Sequence, residues 1–355
     1  MDKAEKIATF DPNSPGDPNA NIFGLPFTCA ESEVVIIPVP WDVTVSYKDG
    51  AANGPAAVFD ASLQVDLFEP VIPNAWQLGM AMDEIPEDVR SRAGLLRVEA
   101  KTYINAITEG VDPAKDFSVA KMRDTVNEGS AWLNNRVKER SLHWLKQGKL
   151  VALLGGDHST PLGLMHALAE MHGPYGILQI DAHADLRKAY EGFTWSHASI
   201  MYNALAEIPQ ISKLVQIGIR DFCQEEAVYI VEQKARVATL FDRDIRHQQY
   251  NGKTWSEQVT ETLLQLPEKV YISFDIDGLD PRLCPHTGTP VPGGLEFEQA
   301  AYLIQRVAQS GKKIIGMDLN EVAPGPDGDE WDANVGARML YRMCNLMALS
   351  NGKFS

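Results

Sequence analysis

The chain has 355 residues, 45% of them hydrophobic, and a net charge of −16, which suits one large globular domain or two smaller ones. An acidic surface repels phosphate backbones and anionic lipids, so nucleic acid and membrane are excluded as default partners; a cationic substrate fits, although solubility alone also accounts for the charge. The four cysteines, Cys29, Cys223, Cys284 and Cys344, form no CxxC pair, the polar N-terminus lacks the apolar region of a signal peptide, and no run is long enough to span a bilayer; a cytoplasmic protein without a thiolate zinc site is expected.

Residues 1–32 are rich in Pro, Asn and Asp and read as an N-terminal arm. From residue 33 to 355 the chain reads as one domain of alternating strands and helices. Apolar runs stand at 34–39, 150–156, 175–183, 213–219, 236–241, 269–277 and 312–319. Most are apolar throughout and do not alternate, as strands buried on both faces of a parallel sheet do. Helical periodicity fills 55–68, 125–148, 160–172, 254–266 and 296–311, the last ending at Gly311 as a C-terminal cap. Residues 70–125 break the rhythm and read as an insertion packed on the domain. The expected class is α/β, with helices on both faces of a mostly parallel sheet.

Three apolar runs finish in metal-ligand chemistry. "LVALLGGDHS" ends in Asp157 and His158, "YGILQIDAHAD" in Asp181, His183 and Asp185, and "KVYISFDIDGLDP" in Asp275, Asp277 and Asp280. Ligands of open α/β sheets bind at the carboxyl ends of strands. In extended chain, residues i, i+2 and i+4 share a side, so D-x-H-x-D and D-x-D each aim their ligands at one place. Bare, such carboxylates repel one another and resist desolvation; divalent cations remove that cost. With Asp157 and Asp280 held back as supporting groups, two imidazoles and four carboxylates remain. Two bridging aspartates with further ligands on each side would hold a pair of cations roughly 3.5 Å apart. Oxygen-rich ligation with imidazole and no thiolate favours Mn²⁺, while Ni²⁺, Co²⁺ and Fe²⁺ stay compatible with the ligand types. Any one of these motifs alone has ordinary structural explanations, such as a cap, a turn or a core histidine; all three together, each closing an apolar strand, do not.

"GGDHS" (155–159), "DAHADL" (181–186), "SFDIDGLDP" (273–281) and "DLNEVAP" (318–324), in this order, resemble the ureohydrolase family of arginases, agmatinases, guanidinobutyrases and formimidoylglutamases over roughly residues 34–350. The resemblance implies a three-layer α/β/α sandwich around a sheet of about eight strands, assembled as a homo-oligomer, trimer or hexamer. It implies that His158 and Asp185 hold one metal, that His183 and Asp277 hold the other, and that Asp181 and Asp275 bridge both. Water acidified by the cations is then the nucleophile. Glu321 matches the acid that pairs with the substrate guanidinium, and His197 the loop histidine that passes a proton to the leaving amine, a task its ordinary pKa near 6.5 suits.

The segment "LRKAYEGFTWSHAS" (186–199), with "PWDVTVSYKDGAANGPAAV" (40–58) and "IGIRDFCQEEAVYI" (217–230), is similar to agmatinases, so agmatine hydrolysis to putrescine and urea is the leading expectation. The arm and the 70–125 insertion, with Trp41, Trp195 and Trp331 narrowing a pocket, make guanidine the main rival substrate, by resemblance to guanidine hydrolases that can prefer nickel. Guanidinobutyrate or formimidoylglutamate needs a cationic partner, for which Arg187 and Arg220 are the candidates. From other classes, a single-zinc deacetylase-like amidohydrolase and a non-catalytic metal-binding protein on this scaffold are the alternatives. The complete ligand set argues against both.

Overall fold

The structure, a computed structural model, describes residues 1–354. In chain order the elements are α1 (Lys3–Thr9), β1 (Val34–Val39), α2 (Gly54–Ser62), β2 (Met80–Met82), α3 (Glu87–Thr108), α4 (Phe117–Leu145), β3 (Leu150–Gly155), α5 (Leu162–His172), β4 (Tyr175–Ile180), α6 (Ile200–Glu207), β5 (Ile211–Ile219), α7 (Gln224–Glu232), β6 (Val237–Phe241), α8 (Asp242–Tyr250), α9 (Trp255–Gln265), β7 (Lys269–Asp275), α10 (Phe297–Gln309), β8 (Lys313–Asn320) and α11 (Trp331–Ser350).

The eight strands form one sheet in the order β2-β1-β3-β8-β7-β4-β5-β6, and every pairing is parallel. The unbroken apolar runs have the cause expected of them: both faces are covered. Val34 and Ile36 of β1 join a core with Val58 of α2 and residues of α9, α10 and α11. Val35, Ile37 and Val39 join the opposite core, built on α3, α4, α5 and α6. This is the three-layer α/β/α sandwich. Gly311 follows the cap of α10 at φ +85°, the left-handed conformation that ends a helix.

Residues 70–125, read from sequence as an insertion, supply the edge strand β2, the whole of α3 and the start of α4. In the N-terminal arm, Asp2 and Glu5 cap α1 reciprocally, and Ile22, Phe23, Leu25 and Phe27 are buried in the first core. No helix among the described residues is long and apolar enough to cross a membrane.

Candidate active site

Strands β3, β8, β7 and β4 are consecutive in the sheet, and the chemistry sits where they end. The turn after β3 carries Asp157 and His158, the segment after β4 carries Asp181, His183 and Asp185, and β7 ends at Asp275 with Asp277 in the turn that follows. Three of these strand ends thus bring their ligands to the C-terminal edge of the sheet, the place such folds reserve for ligands. The close approach depends on glycine. A Cβ on Gly156 would lie 1.9 Å from the Trp41 carbonyl oxygen, and one on Gly278 would lie 2.7 Å from the Asp181 nitrogen.

Two donor clusters converge there, His158–Asp181–Asp185 and Asp181–His183–Asp277, with Asp181 common to both. His158 Nδ1 lies 3.0 Å from Asp181 Oδ2, 3.1 Å from Asp185 Oδ2 and 3.4 Å from Asp275 Oδ2. His183 Nδ1 lies 3.1 Å from Asp277 Oδ2 and 3.6 Å from Asp181 Oδ1. The structure therefore brings together all six residues singled out as ligands.

Asp157 and Asp280, expected to support the ligands, bond elsewhere, Asp157 Oδ1 accepting from Ser159 and Asp280 pairing with Arg282; the groups that do support the ligands are others. His158 Nε2 meets Ser273 Oγ at 2.8 Å, and Ser273 Oγ donates to Asp318 Oδ1 at 3.1 Å. That contact fixes the ring and turns Nδ1 toward the carboxylates. Asp181 Oδ2 accepts from Gln179 Nε2 at 2.7 Å, Gln179 Oε1 accepts from Gln216 Nε2 at 2.6 Å, and Gln216 Oε1 accepts from Thr239 Oγ1 at 2.7 Å. This chain crosses β4, β5 and β6 and orients the shared aspartate. Asp181 Oδ1 accepts from the His183 backbone N–H at 2.6 Å, Asp275 Oδ1 from the Asp277 N–H at 2.9 Å, and Asp277 Oδ1 from the Ala182 N–H at 3.0 Å. Asp185 sits at φ +54°, a strained conformation for a residue with a Cβ.

Charge makes the cluster unstable by itself. Burial works against imidazolium at His183, yet Asp277 and Asp181 push its pKa up to about 12. His158 is likewise held well above its ordinary value by Asp181, Asp185 and Asp275 in spite of burial. Burial and the Asp181 charge push Asp185 up to about 7. Burial, Asp277 and Asp181 push Asp275 well above the carboxylate range. His158 Nδ1 is buried and has no hydrogen-bond partner although three carboxylates face it. An orphaned imidazole nitrogen among oxygen donors, with its other nitrogen held from behind, fits a divalent cation of the Mn²⁺–Ni²⁺ group.

A cavity of about 160 Å³ opens above the clusters. Glu321 lines it and is buried, at φ +63°. Its Oε1 accepts from the His158 N–H at 2.9 Å, and Thr287 Oγ1 donates to its carbonyl at 2.9 Å. Burial and the Asp157 charge raise its pKa well above the usual value. His197 also lines the cavity, edge-on to Tyr190 with ring centroids 5.8 Å apart, and its Nδ1 has no partner. The sequence expectation of a pKa near 6.5 is corrected here: burial, with the cationic His183 and His158 nearby, lowers His197 to about 3. Its ring is neutral, and the same burial and neighbouring positive charge make it a weak base.

None of Trp41, Trp195 and Trp331 lines the cavity, so the expected narrowing by tryptophan is absent; its aromatic lining is Tyr190 and Phe222. Trp41 is buried in the core, while the indole N–H groups of Trp195 and Trp331 bond Glu207 and the Arg282 carbonyl. Arg220 donates to the carbonyls of Gly218, Asp277, Leu279 and Val291 and is a structural clamp. Arg187 lines the cavity, 3.7 Å from Glu226 and stacked over Tyr190. His286 is tied to Asp332 at 2.8 Å, and Cys284 is buried against the Ile276 carbonyl.

The model of the arginase family matches residues 32–345. The chain belongs to the arginase family. It is 31% identical over 326 residues to the N(1)-aminopropylagmatine ureohydrolase of Thermus thermophilus, covering 92% of this chain and 94% of that one. It is 30% identical over 320 residues to the agmatinase of Neisseria meningitidis, covering 89% and 88%. Among solved structures, the agmatine ureohydrolase of Thermoplasma volcanium shares the fold with a TM-score of 0.70 at 22% identity, over 99% of this chain and 100% of that one. This member of the arginase family is a ureohydrolase, an enzyme that cleaves guanidino C–N bonds. The family depends on a binuclear metal centre, and the two clusters that share Asp181 are where this chain could hold one.

Proposed function

We propose that this ureohydrolase releases urea from agmatine, with two divalent cations, Mn²⁺ foremost, held by His158, Asp181, His183, Asp185, Asp275 and Asp277. The observation that carries the substrate reading is a pair of carboxylates in the cavity lining, Glu321 buried and Asp221 exposed. Glu321 stands beside the clusters with one oxygen engaged by His158 and Oε2 in no protein hydrogen bond. Asp221 stands at the exposed rim and forms no ion pair among the described residues. A molecule with a guanidinium at one end and an ammonium at the other satisfies both. The cations supply an acidified water and positive charge at the carbon under attack. Glu321 orients the guanidinium through charge-assisted hydrogen bonds. His197, which faces the cavity with an unpartnered Nδ1, is the ring placed to relay a proton toward the departing amine once substrate and cations have changed the charge around it.

Guanidine is the second reading, and one observation favours it. The cavity measures about 160 Å³, close to the ~150 Å³ that encloses a benzene-sized molecule. A four-heavy-atom substrate fits inside it completely, whereas agmatine must reach the rim. Guanidinobutyrate is less well served, because the one arginine on the wall, Arg187, already faces Glu226. The test is urea release by the purified protein on agmatine, guanidine, guanidinobutyrate and arginine, with Mn²⁺ and separately with Ni²⁺. Agmatine turnover whose KM rises in Asp221→Asn supports the first reading. Guanidine turnover indifferent to that substitution replaces it with the second. Urea from none of the four defeats both.

A further inference from the structure

Helices α3 and α4 touch neither donor cluster, yet polar groups on them grip both walls of the cavity. The buried stripe of α3, Val89, Ala93, Leu96, Ala100 and Tyr103, advances by four and three residues. It packs on α4 so tightly that a Cβ on Gly129 would lie 2.2 Å from Leu96 Cδ1. This is a stiff platform. From α3, Arg97 Nη1 donates to the carbonyls of Val43 at 3.0 Å and Val45 at 2.6 Å, and Nη2 lies 3.8 Å from Asp49 Oδ2. The next residue after Val45 is Ser46, which lines the cavity. From α4, Asn127 donates to the Gly192 carbonyl at 3.1 Å and accepts from the Thr194 N–H at 2.8 Å, while the Tyr103 ring stacks 5.2 Å from Phe193. That second segment carries Tyr190 and His197 into the cavity.

Residues 40–50 form neither helix nor strand, and Val43 and Val45 are buried. Their carbonyls need donors, and a single guanidinium only 14% exposed provides them. The position of Ser46 thus depends on a side chain of a helix outside the site.

We propose that Arg97 is a positioning residue. It sets Ser46 against the substrate, and through α3–α4 the two walls of the cavity keep a fixed separation that limits which guanidino compounds enter. This rests on the cavity being the guanidino site. Loss of a charged donor to buried carbonyls is worth about tenfold or more in an equilibrium. Arg97 touches no donor cluster, so its removal should fall on KM.

The test is a double-mutant cycle of Arg97→Met and Ser46→Ala on the best substrate, with Arg97→Lys as the conservative variant and metal content measured for each. Arg97→Met should raise KM about tenfold with kcat within about threefold and metal content unchanged. In the Ser46→Ala background it should add little, because the two act through one contact. Arg97→Lys should recover part of the loss. Additive effects, an unchanged KM, or loss of bound metal overturn the proposal. Hydrogen exchange at the Gly50 and Ala52 amides, which bond Asp42 Oδ2, gives a readout independent of turnover. Faster exchange in Arg97→Met supports the clamp, and unchanged exchange defeats it, even if the parent protein releases urea from no guanidino compound and the functional reading fails.

Discussion

Asp181 is the one residue that both clusters share. Replacing it with alanine removes an oxygen from each cation position and leaves His158 and His183 with one carboxylate fewer. Asp181→Ala should therefore lose at least one metal per chain by elemental analysis and all measurable urea release. Full metal occupancy with activity would end the binuclear assignment. Gln179→Leu is a milder probe: it keeps the ligands but unseats Asp181 Oδ2, and should weaken metal affinity about 10–100-fold. Glu321→Gln should act mainly on KM for cationic substrates. The period of two made Asp181, His183 and Asp185 legible in the sequence, because strand geometry converts spacing directly into direction. Gln179, Ser273 and Asp318 were not, since a polar residue inside an apolar run looks the same whether it orients a ligand or merely fills a ladder position. The depressed pKa of His197 was also out of reach, because it comes from burial and from two histidines that approach only in three dimensions.

At the scale of elements, seven of the eight strands could be read because continuous apolar runs mark burial on both faces; β2, only Met80–Met82, is too short to show a pattern. Helix α8 has Ile245 as its only buried apolar residue, and α7 has none, so neither announced itself by periodicity. The joint after β3 is where an element's geometry and the site are inseparable. Gly156→Ala would drive a Cβ into the Trp41 carbonyl, and backbone cannot swing aside as a side chain can. The variant should melt several degrees lower and bind metal more weakly, measured by calorimetry with and without metal. The arm depends on a different joint. Lys6 Nζ bonds Glu31 Oε2 at 2.7 Å, and that bond, with the Thr28 backbone N–H, lowers Glu31 to about 2. A depressed carboxyl stabilises the docked state above its ordinary pKa of about 4.5, and the contribution fades as pH falls toward 2. Glu31→Gln should expose residues 3–12 to proteolysis at pH 7, and the difference from the parent should narrow below pH 4.5. A difference that persists at low pH would remove Glu31 ionisation as the cause.

Across the whole molecule, the metal centre ties together segments far apart in the chain, because its ligands come from the ends of three strands, β3, β7 and β4. The metal-free cluster answers its crowded carboxylates with protons: the aspartates push both imidazoles toward their charged forms, and burial, Asp277 and Asp181 push Asp275 toward its protonated form. Ligation needs neutral imidazole and ionised carboxylate, so cations must displace those protons. Two consequences follow from that exchange. Metal binding should release protons at pH 7, seen as a binding enthalpy that varies with the ionisation enthalpy of the buffer, and affinity should rise with pH because protons compete for the same atoms. Folding stability should rise with free metal as well, by about 2.7 kcal/mol per site at a hundredfold excess over Kd, an increase of at least several degrees in Tm for a chain of this size, reversed by a chelator. A Tm indifferent to chelation, together with a buffer-independent enthalpy, would mean that the cluster keeps its protons and holds no cations.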